Sequence, residues 1–288
     1  MAQATLNPNL TTARVRKPVP VRQIIIWAIL IFLVFLSLYP FIFMIITSFK
    51  TYSQYLHDFV GIQYPLHPEN YAVAWDIVRR PILNSLFVSI ASAAGTVVFA
   101  SLSAYVFARY RFPGREFLFF AVISLLMIPN VFQLIPRFML VRELGLLNTY
   151  WALILPYIAG GQIFAIFVLR SFFASLPQEL FDAAKIDGAS DFKSFLYVAV
   201  PLSRSMIATL AILRLQQSWN DFIWPLVSTT DINIRTVIVQ LSFLQGQFGT
   251  QIGPMFAGYI LGSLPLLIIF AFGMKQFIAG MTSGAIKV

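Results

Sequence analysis

Six long runs of apolar residues, at positions 24–47, 82–108, 117–138, 150–169, 202–227 and 254–277, constrain this chain more than any other feature, because charge is sparse within them. A run of about 20 apolar residues matches the hydrocarbon thickness of a bilayer. No water is available there to satisfy backbone N–H and C=O groups, so each run is expected to be a helix. The sequence is 59% hydrophobic and 11% charged, against about 25% charged in soluble domains. An ordinary soluble fold is therefore excluded. There is no cysteine, hence no disulfide framework and no thiolate metal site.

Charge sets an expected orientation. The net charge of +9 fits basic membrane-flanking loops rather than a nucleic-acid surface. With the N-terminus inside, thirteen Lys and Arg flank the inner ends of the spans and six flank the outer ends, and Arg214 lies within the fifth. This bias places both termini in the cytoplasm. The first run is longer than the 7–15 apolar residues of a signal-peptide core, so it reads as an uncleaved span behind a basic tail. The expected organisation is a cytoplasmic tail at 1–22, a six-helix domain at 23–278 and a cytoplasmic tail at 279–288.

Within the spans, the small-residue run from Ser89 to Gly95, continued by Ser101, Ser103 and Ala104, suits close helix packing. Gly258 and Gly262 stand at GxxxG spacing and read the same way. Pro129, Pro136, Pro156, Pro225 and Pro265 are each expected to bend or break a helix.

Between the fourth and fifth runs lies a polar insert, 177–201, with Glu179, Asp182, Asp187, Asp191, Lys185 and Lys193. Its punctuation predicts two short helices. Pro177 suits a first turn and Glu179 complements the dipole there. Gly188 is a stop, and Ser190 caps the next helix with Asp191 in its first turn. One predicted face carries Leu180, Ala183, Ala184 and Asp187, and the other Phe192, Phe195, Leu196 and Ala199. On pattern alone, a membrane-surface loop and a partner-docking element both fit.

The insert resembles the EAA loop of ABC-importer permease subunits. The motif's core appears as Asp182-Ala183-Ala184, with Asp for the usual Glu, and its glycine is Gly188. The stretch from Ala184 through Lys185, Ile186, Asp187 and Gly188 to Ala189 is similar to the carbohydrate-importer version, the group of the smaller maltose permease subunit. Val200-Pro201 stands for the usual leucine-proline, and Ser205 where a second proline is common. Asn84-Ser85, Leu144-Gly145-Leu146-Leu147-Asn148-Thr149, Trp219-Asn220-Asp221-Phe222 and the ending from Gly280 to Lys287 follow the family in the same order.

The resemblance implies an all-α integral membrane protein with the type I importer permease fold and a cytoplasmic coupling-helix loop. It implies alternating access with a second homologous permease, two cytoplasmic ATPase subunits and an extracytoplasmic solute-binding protein. The location implied is a bacterial or archaeal plasma membrane. ATP and Mg would sit on the ATPase partners, with no cofactor on this chain and no nucleic acid bound. Docking on the ATPase would fall to Glu179, Asp182, Ala183, Ala184, Asp187, Gly188, Ala189 and Phe192, within 179–199. Thr282, Ser283 and Gly284 of the tail would reach toward the ATPase interface.

Arg214, Gln217, Ser218 and Asp221 recur at i, i+3, i+4 and i+7, with Gln216 and Asn220 beside them. Charge inside a span faces a bundle interior or a water-filled cavity. This stripe either lines the translocation path or pairs the two permeases. Gln245, Gly246, Gln247 and Phe248 suit a mobile polar loop, and relatives insert a loop from this region into their binding protein.

Chemistry is absent elsewhere. There is no P-loop motif, no HExxH and no nucleophile–base arrangement, and His57 and His67 stand alone in an outer segment. An enzyme is not expected. The alternative to an importer subunit is a self-sufficient secondary transporter or channel, which would normally show internal repeats or a midplane carboxylate site; neither is evident.

Overall fold

A computed structural model of the chain describes residues 21–247 and 251–283. Among the described residues every regular element is helical. Two compact units meet at the Met44–Ile45 bond. In the first, residues 21–44 belong to α1 (Val21–Ser48). From Ile24 to Met44 this helix is apolar around its circumference, as a lipid-embedded helix must be. Ser37 spares the membrane an unpaired hydroxyl by donating to the Leu33 carbonyl at 2.8 Å.

The second unit starts at Ile45 and is built on α3 (Glu69–Arg109), a helix of 41 residues. At about 1.5 Å per residue α3 is about 60 Å long, well beyond a bilayer core. Its neighbours are α6 (Trp151–Ser175), α10 (Arg204–Asn220) and α13 (Ile252–Ser283). Most of the small residues predicted for close packing do that work. Ser89, Ser92, Ala93, Ser101 and Ala104 are buried, Ala94 is exposed, and a Cβ on Gly95 would lie 2.3 Å from Ile158 of α6. The GxxxG pair faces α12 (Val237–Gln247): added Cβ atoms on Gly258 and Gly262 would meet Leu244 at 3.0 Å and Leu241 at 2.9 Å.

The predicted runs and the helices differ where proline intervenes. The 117–138 run is not one helix. It forms α4 (Arg115–Ser124), a 3₁₀ turn (Leu125–Met127) and, after a gap, α5 (Leu134–Glu143). Ile128 turns extended, because the Pro129 ring disfavours helical backbone in the residue before it. Pro136 then falls in the first turn of α5, where its missing N–H has no helical partner to lose. The 202–227 run is cut as well. α10 ends at Asn220, Asp221 is extended, and α11 (Ile223–Ser228) follows with Pro225 in its first turn. Pro156 and Pro265 stay inside continuous helices.

Among the described residues four helices, α1, α3, α6 and α13, are long and apolar enough to cross a membrane. A fifth crossing arises if the bent pair Asp191–Leu202 and Arg204–Asn220, angled by 78°, is counted as one. The bend sits at Ser203, which is fully buried.

At one end of α3, the segment after Ile45 is tied down by polar contacts. Lys50 is buried and donates to the Asp58 carbonyl at 2.8 Å. Asn70 donates to the carbonyls of Ser48 and Lys50 at 2.8 and 3.1 Å. Backbone amides of Gly61 and Val60, with the Gln63 amide, hold the Asp58 carboxyl below the usual carboxylate range. His67 pairs with the exposed Glu69 carboxylate.

Candidate functional site

The insert forms α7 (Gln178–Ile186), α8 (Asp191–Ser194), a π-helical turn (Phe195–Ala199) and α9 (Val200–Leu202). The predicted signals operate as expected. Gly188 takes a left-handed φ of +77°. Its N–H donates to the Lys185 carbonyl at 3.0 Å, and Ala189 N–H donates to the Ala184 carbonyl at 2.9 Å. This is the paired closure of a Schellman stop. Ser190 accepts from the Lys193 amide at 3.3 Å and caps α8. Pro177 stands one place before the helix, as its N-cap.

A Cβ on Gly188 meets no neighbour, so substitution there costs backbone strain alone. Gly188→Val is expected to weaken the α7 stop by about 1–2 kcal/mol. Gly188→Asn should cost less. Hydrogen exchange of the Gly188 and Ala189 amides reads the difference.

The predicted faces need correction. The buried residue of α7 is Phe181, 3% exposed, which the pattern of Leu180, Ala183, Ala184 and Asp187 passed over. Phe181 enters a cluster with Tyr105 and Ala104 of α3, Phe173 and Leu169 of α6, and Phe195. The Arg109 guanidinium lies 3.8 Å over the Phe181 ring. Arg109 also donates to the Leu176 carbonyl at 2.8 Å and to Gln178 Oε1 at 2.9 Å. The end of α3 is thereby latched to the end of α6 and the start of α7. On the second face, Phe195 and Ala199 are buried while Phe192 and Leu196 are exposed. Burial, and then the Asp191 carboxylate, push the Tyr110 hydroxyl up to about 12, so it stays protonated beside α8.

The outward side of the insert is apolar as well as charged. Ile186 is 86% exposed, with Leu180, Phe192 and Tyr197 also open. Glu179, Asp182, Asp187 and Gly188 are exposed around them; Ala184 and Ala189 are half-buried.

A second site lies along α10. A cavity of about 510 Å³ is lined by Arg214, Gln217 and Asp221 of the predicted stripe, joined by Arg137, Tyr157 and Trp224. Asp221 is not on the helical face assigned to it, since α10 stops one residue earlier. It enters the cavity from the extended link and accepts from the Tyr157 hydroxyl at 2.9 Å. Ser218 is buried and turned back on its own helix, donating to the Arg214 carbonyl at 2.9 Å; it is not part of the lining. Arg137 and Tyr157 were not legible as site residues. One sits in a broken run and the other in an apolar one, and only tertiary packing joins them to α10.

At the opposite end from α7, Asn84 donates to the carbonyls of Asn233 and Arg235 at 2.9 and 3.0 Å and accepts from the Tyr150 hydroxyl at 2.8 Å. Ser85 accepts from the Val237 amide at 2.8 Å. Asn148, at φ +58°, accepts from the amides of Thr230 and Asp231. These motif residues thus fasten the link between α11 and α12.

Gln245, Gly246 and Gln247 are the last turn of α12 rather than a loop. Phe248 and Gly284 lie outside the described residues, and Thr282 and Ser283 close α13.

Comparison with known proteins decides what kind of molecule carries these sites. A family model described as binding-protein-dependent transport system inner membrane component matches residues 96–283. This chain belongs to that family. Residues 96–283 of the permease run from the middle of α3 through the insert and the cavity to the end of α13. The lactose transport system permease protein LacG of Rhizobium radiobacter is 34% identical, over 96% of this chain and 100% of that one. The trehalose/maltose transport system permease protein MalG of Thermococcus litoralis is 33% identical, over 92% and 96%. The arabinooligosaccharides permease AraQ of Halalkalibacterium halodurans is 32% identical, over 94% and 99%. A crystal structure of a bacterial ABC transporter that imports the acidic polysaccharide alginate contains a chain with TM-score 0.76, 20% identity and coverage of 91% and 100%; it shows the fold alone. The chain is therefore a multi-pass membrane permease subunit of an ABC importer and not an enzyme.

Proposed function

We propose that this permease moves a sugar or oligosaccharide inward by alternating access, paired with a second homologous permease and driven by two cytoplasmic ATPase subunits. In this reading the insert 177–201 faces the cytoplasm, as do both termini, and the binding protein delivers solute to the other side. Arg214, Gln217 and Asp221 line the path, and Thr282, Ser283 and Gly284 approach the ATPases. Gln245, Gly246, Gln247 and Phe248 lie toward the binding protein.

The observation that carries the docking role is the division of the insert into two faces. Phe181 and Phe195 root it in the α3–α6 core, while Leu180, Ile186 and Phe192 stand open beside acidic side chains. An exposed apolar group on a rooted element is what a partner's cleft can grip and displace. The sugar class is supported by the names of the lactose, arabinooligosaccharide and trehalose/maltose relatives.

Single cysteines provide the test, since the chain has none of its own. Ala184→Cys and Gly188→Cys, treated with a short thiol cross-linker in membranes carrying the whole transporter, should each capture an ATPase subunit. A cysteine replacing Asn233, at the opposite end, should not. If Ala184→Cys and Gly188→Cys react only with reagents confined to the outside of the cell, the docking reading is wrong.

A further inference from the structure

The cavity along α10 holds more positive than negative charge. Arg137 and Arg214 face one carboxylate, Asp221. Both Asp221 oxygens are engaged by neutral donors: Oδ2 takes the Tyr157 hydroxyl at 2.9 Å and Oδ1 the Trp224 amide at 3.4 Å. Neither arginine forms an ion pair among the described residues. Arg214 donates to Gln217 Oε1 at 3.2 Å, and its buried Nε has no partner. Arg137 donates to Gln133 Oε1 at 3.4 Å. Each guanidinium instead lies over a ring, Arg214 5.0 Å from Tyr157 and Arg137 5.3 Å from Trp224. Ring faces soften the loss of hydration without neutralising the charge.

The lining also carries the amides of Asn130, Gln217 and Asn220, which can take sugar hydroxyls. It offers no open aromatic face for a sugar ring, since Tyr157 and Trp224 are 4% and 2% exposed and arginines face both. Guanidinium groups present paired N–H donors that match a carboxylate or a phosphate. An uncompensated charge within a span is costly, so a transient anion is the ligand that relieves it best.

We infer that this cavity accepts the anionic group of the transported solute, so that the cargo is a saccharide or polyol bearing a carboxylate or a phosphate. The inference rests on the importer reading above and narrows its substrate.

The experiment uses the complete transporter, with partner permease, ATPases and binding protein, in proteoliposomes. Digalacturonate, glycerol 3-phosphate and lactose are offered at equal concentration. Import of at least one anion should exceed that of lactose by about tenfold or more, and the anion preferred distinguishes carboxylate from phosphate. Arg137→Gln and Arg214→Gln should each lower that import by about tenfold, with Arg214→Lys retaining more than Arg214→Gln. Preference for lactose, import of neither anion, or arginine variants with unchanged anion import each overturn the inference. So does loss of the second permease from purified Arg214→Gln complexes, because the arginine would then be pairing the subunits. The two readings fail separately: lactose import with the ATPase still bound sinks only the anionic cargo, whereas absence of an ATPase from the wild-type preparation sinks the docking role.

Discussion

Phe181→Ala should leave a transporter that assembles yet no longer couples. Phe181 is 3% exposed and joins α7 to the Tyr105, Phe173 and Phe195 side chains. Removing a buried phenylalanine costs about 3–5 kcal/mol through lost transfer energy and the cavity left behind. The Arg109 guanidinium, 3.8 Å above the ring, also loses its platform. The exposed residues Leu180 and Ile186 remain for a partner to hold, so an ATPase should still co-purify. Its movement, however, would be absorbed by a loosened α7. Expected is a fall in solute uptake of about tenfold or more, a barrier increase of about 1.4 kcal/mol, with ATP hydrolysis largely retained. Measuring both rates on one preparation decides the matter. Equal decline of uptake and hydrolysis would mean that α7 serves only to bind, and unchanged uptake would mean that Phe181 is not its anchor.

Asn84→Leu is expected to destabilise the opposite end by about 2 kcal/mol or more. The residue is 4% exposed and uses both ends of its amide. Leucine has the same branching but strands the Arg235 carbonyl and the Tyr150 hydroxyl, at about 1–3 kcal/mol for each, while the exposed Asn233 carbonyl keeps the Arg80 guanidinium at 3.1 Å. Asn84→Asp keeps the acceptor for Tyr150 and loses both donors, so it should fall between wild type and Asn84→Leu. Combined with Tyr150→Phe, the effects should be markedly non-additive, because the residues share one network. Thermal unfolding of the purified complex is the readout. A melting temperature for Asn84→Leu within a degree of wild type would show that water replaces the amide and that the network contributes little.

What was legible in the sequence follows from which forces are local. Hydropathy located α1, α3, α6 and α13, since a bilayer demands a minimum apolar length. The stop and start inside the insert were readable because Gly188 and Ser190 act within one turn of their own position. Boundaries set by tertiary contacts were not. α3 begins at Glu69, not near Ile82, because its first turns pack through Ala74 and Val78 outside any apolar run. Phe181 was missed because an aromatic at the centre of a polar insert marks no face until Tyr105 and Phe195 arrive from elsewhere in the chain. Arg137, within the predicted 117–138 run, lines the cavity because the chain breaks at Pro129 and α5 starts anew. The periodicity argument for Arg214 and Asp221 paired the right residues by the wrong route: α10 ends before Asp221, and Tyr157 holds the carboxylate in place.

The stretch of α3 from Asn84 to Arg109 is unbroken by proline and fixed at both extremities, by the Asn233–Arg235 backbone at one and by α7 at the other. Twenty-five residues at about 1.5 Å each make a strut of about 37 Å. A helix of that length resists compression, so a nudge delivered at Arg109 cannot be dissipated along the way. It must reappear as tilt or displacement beneath the 233–237 strap. In the importer proposed above, the same spine would act as a pushrod between the insert and that strap.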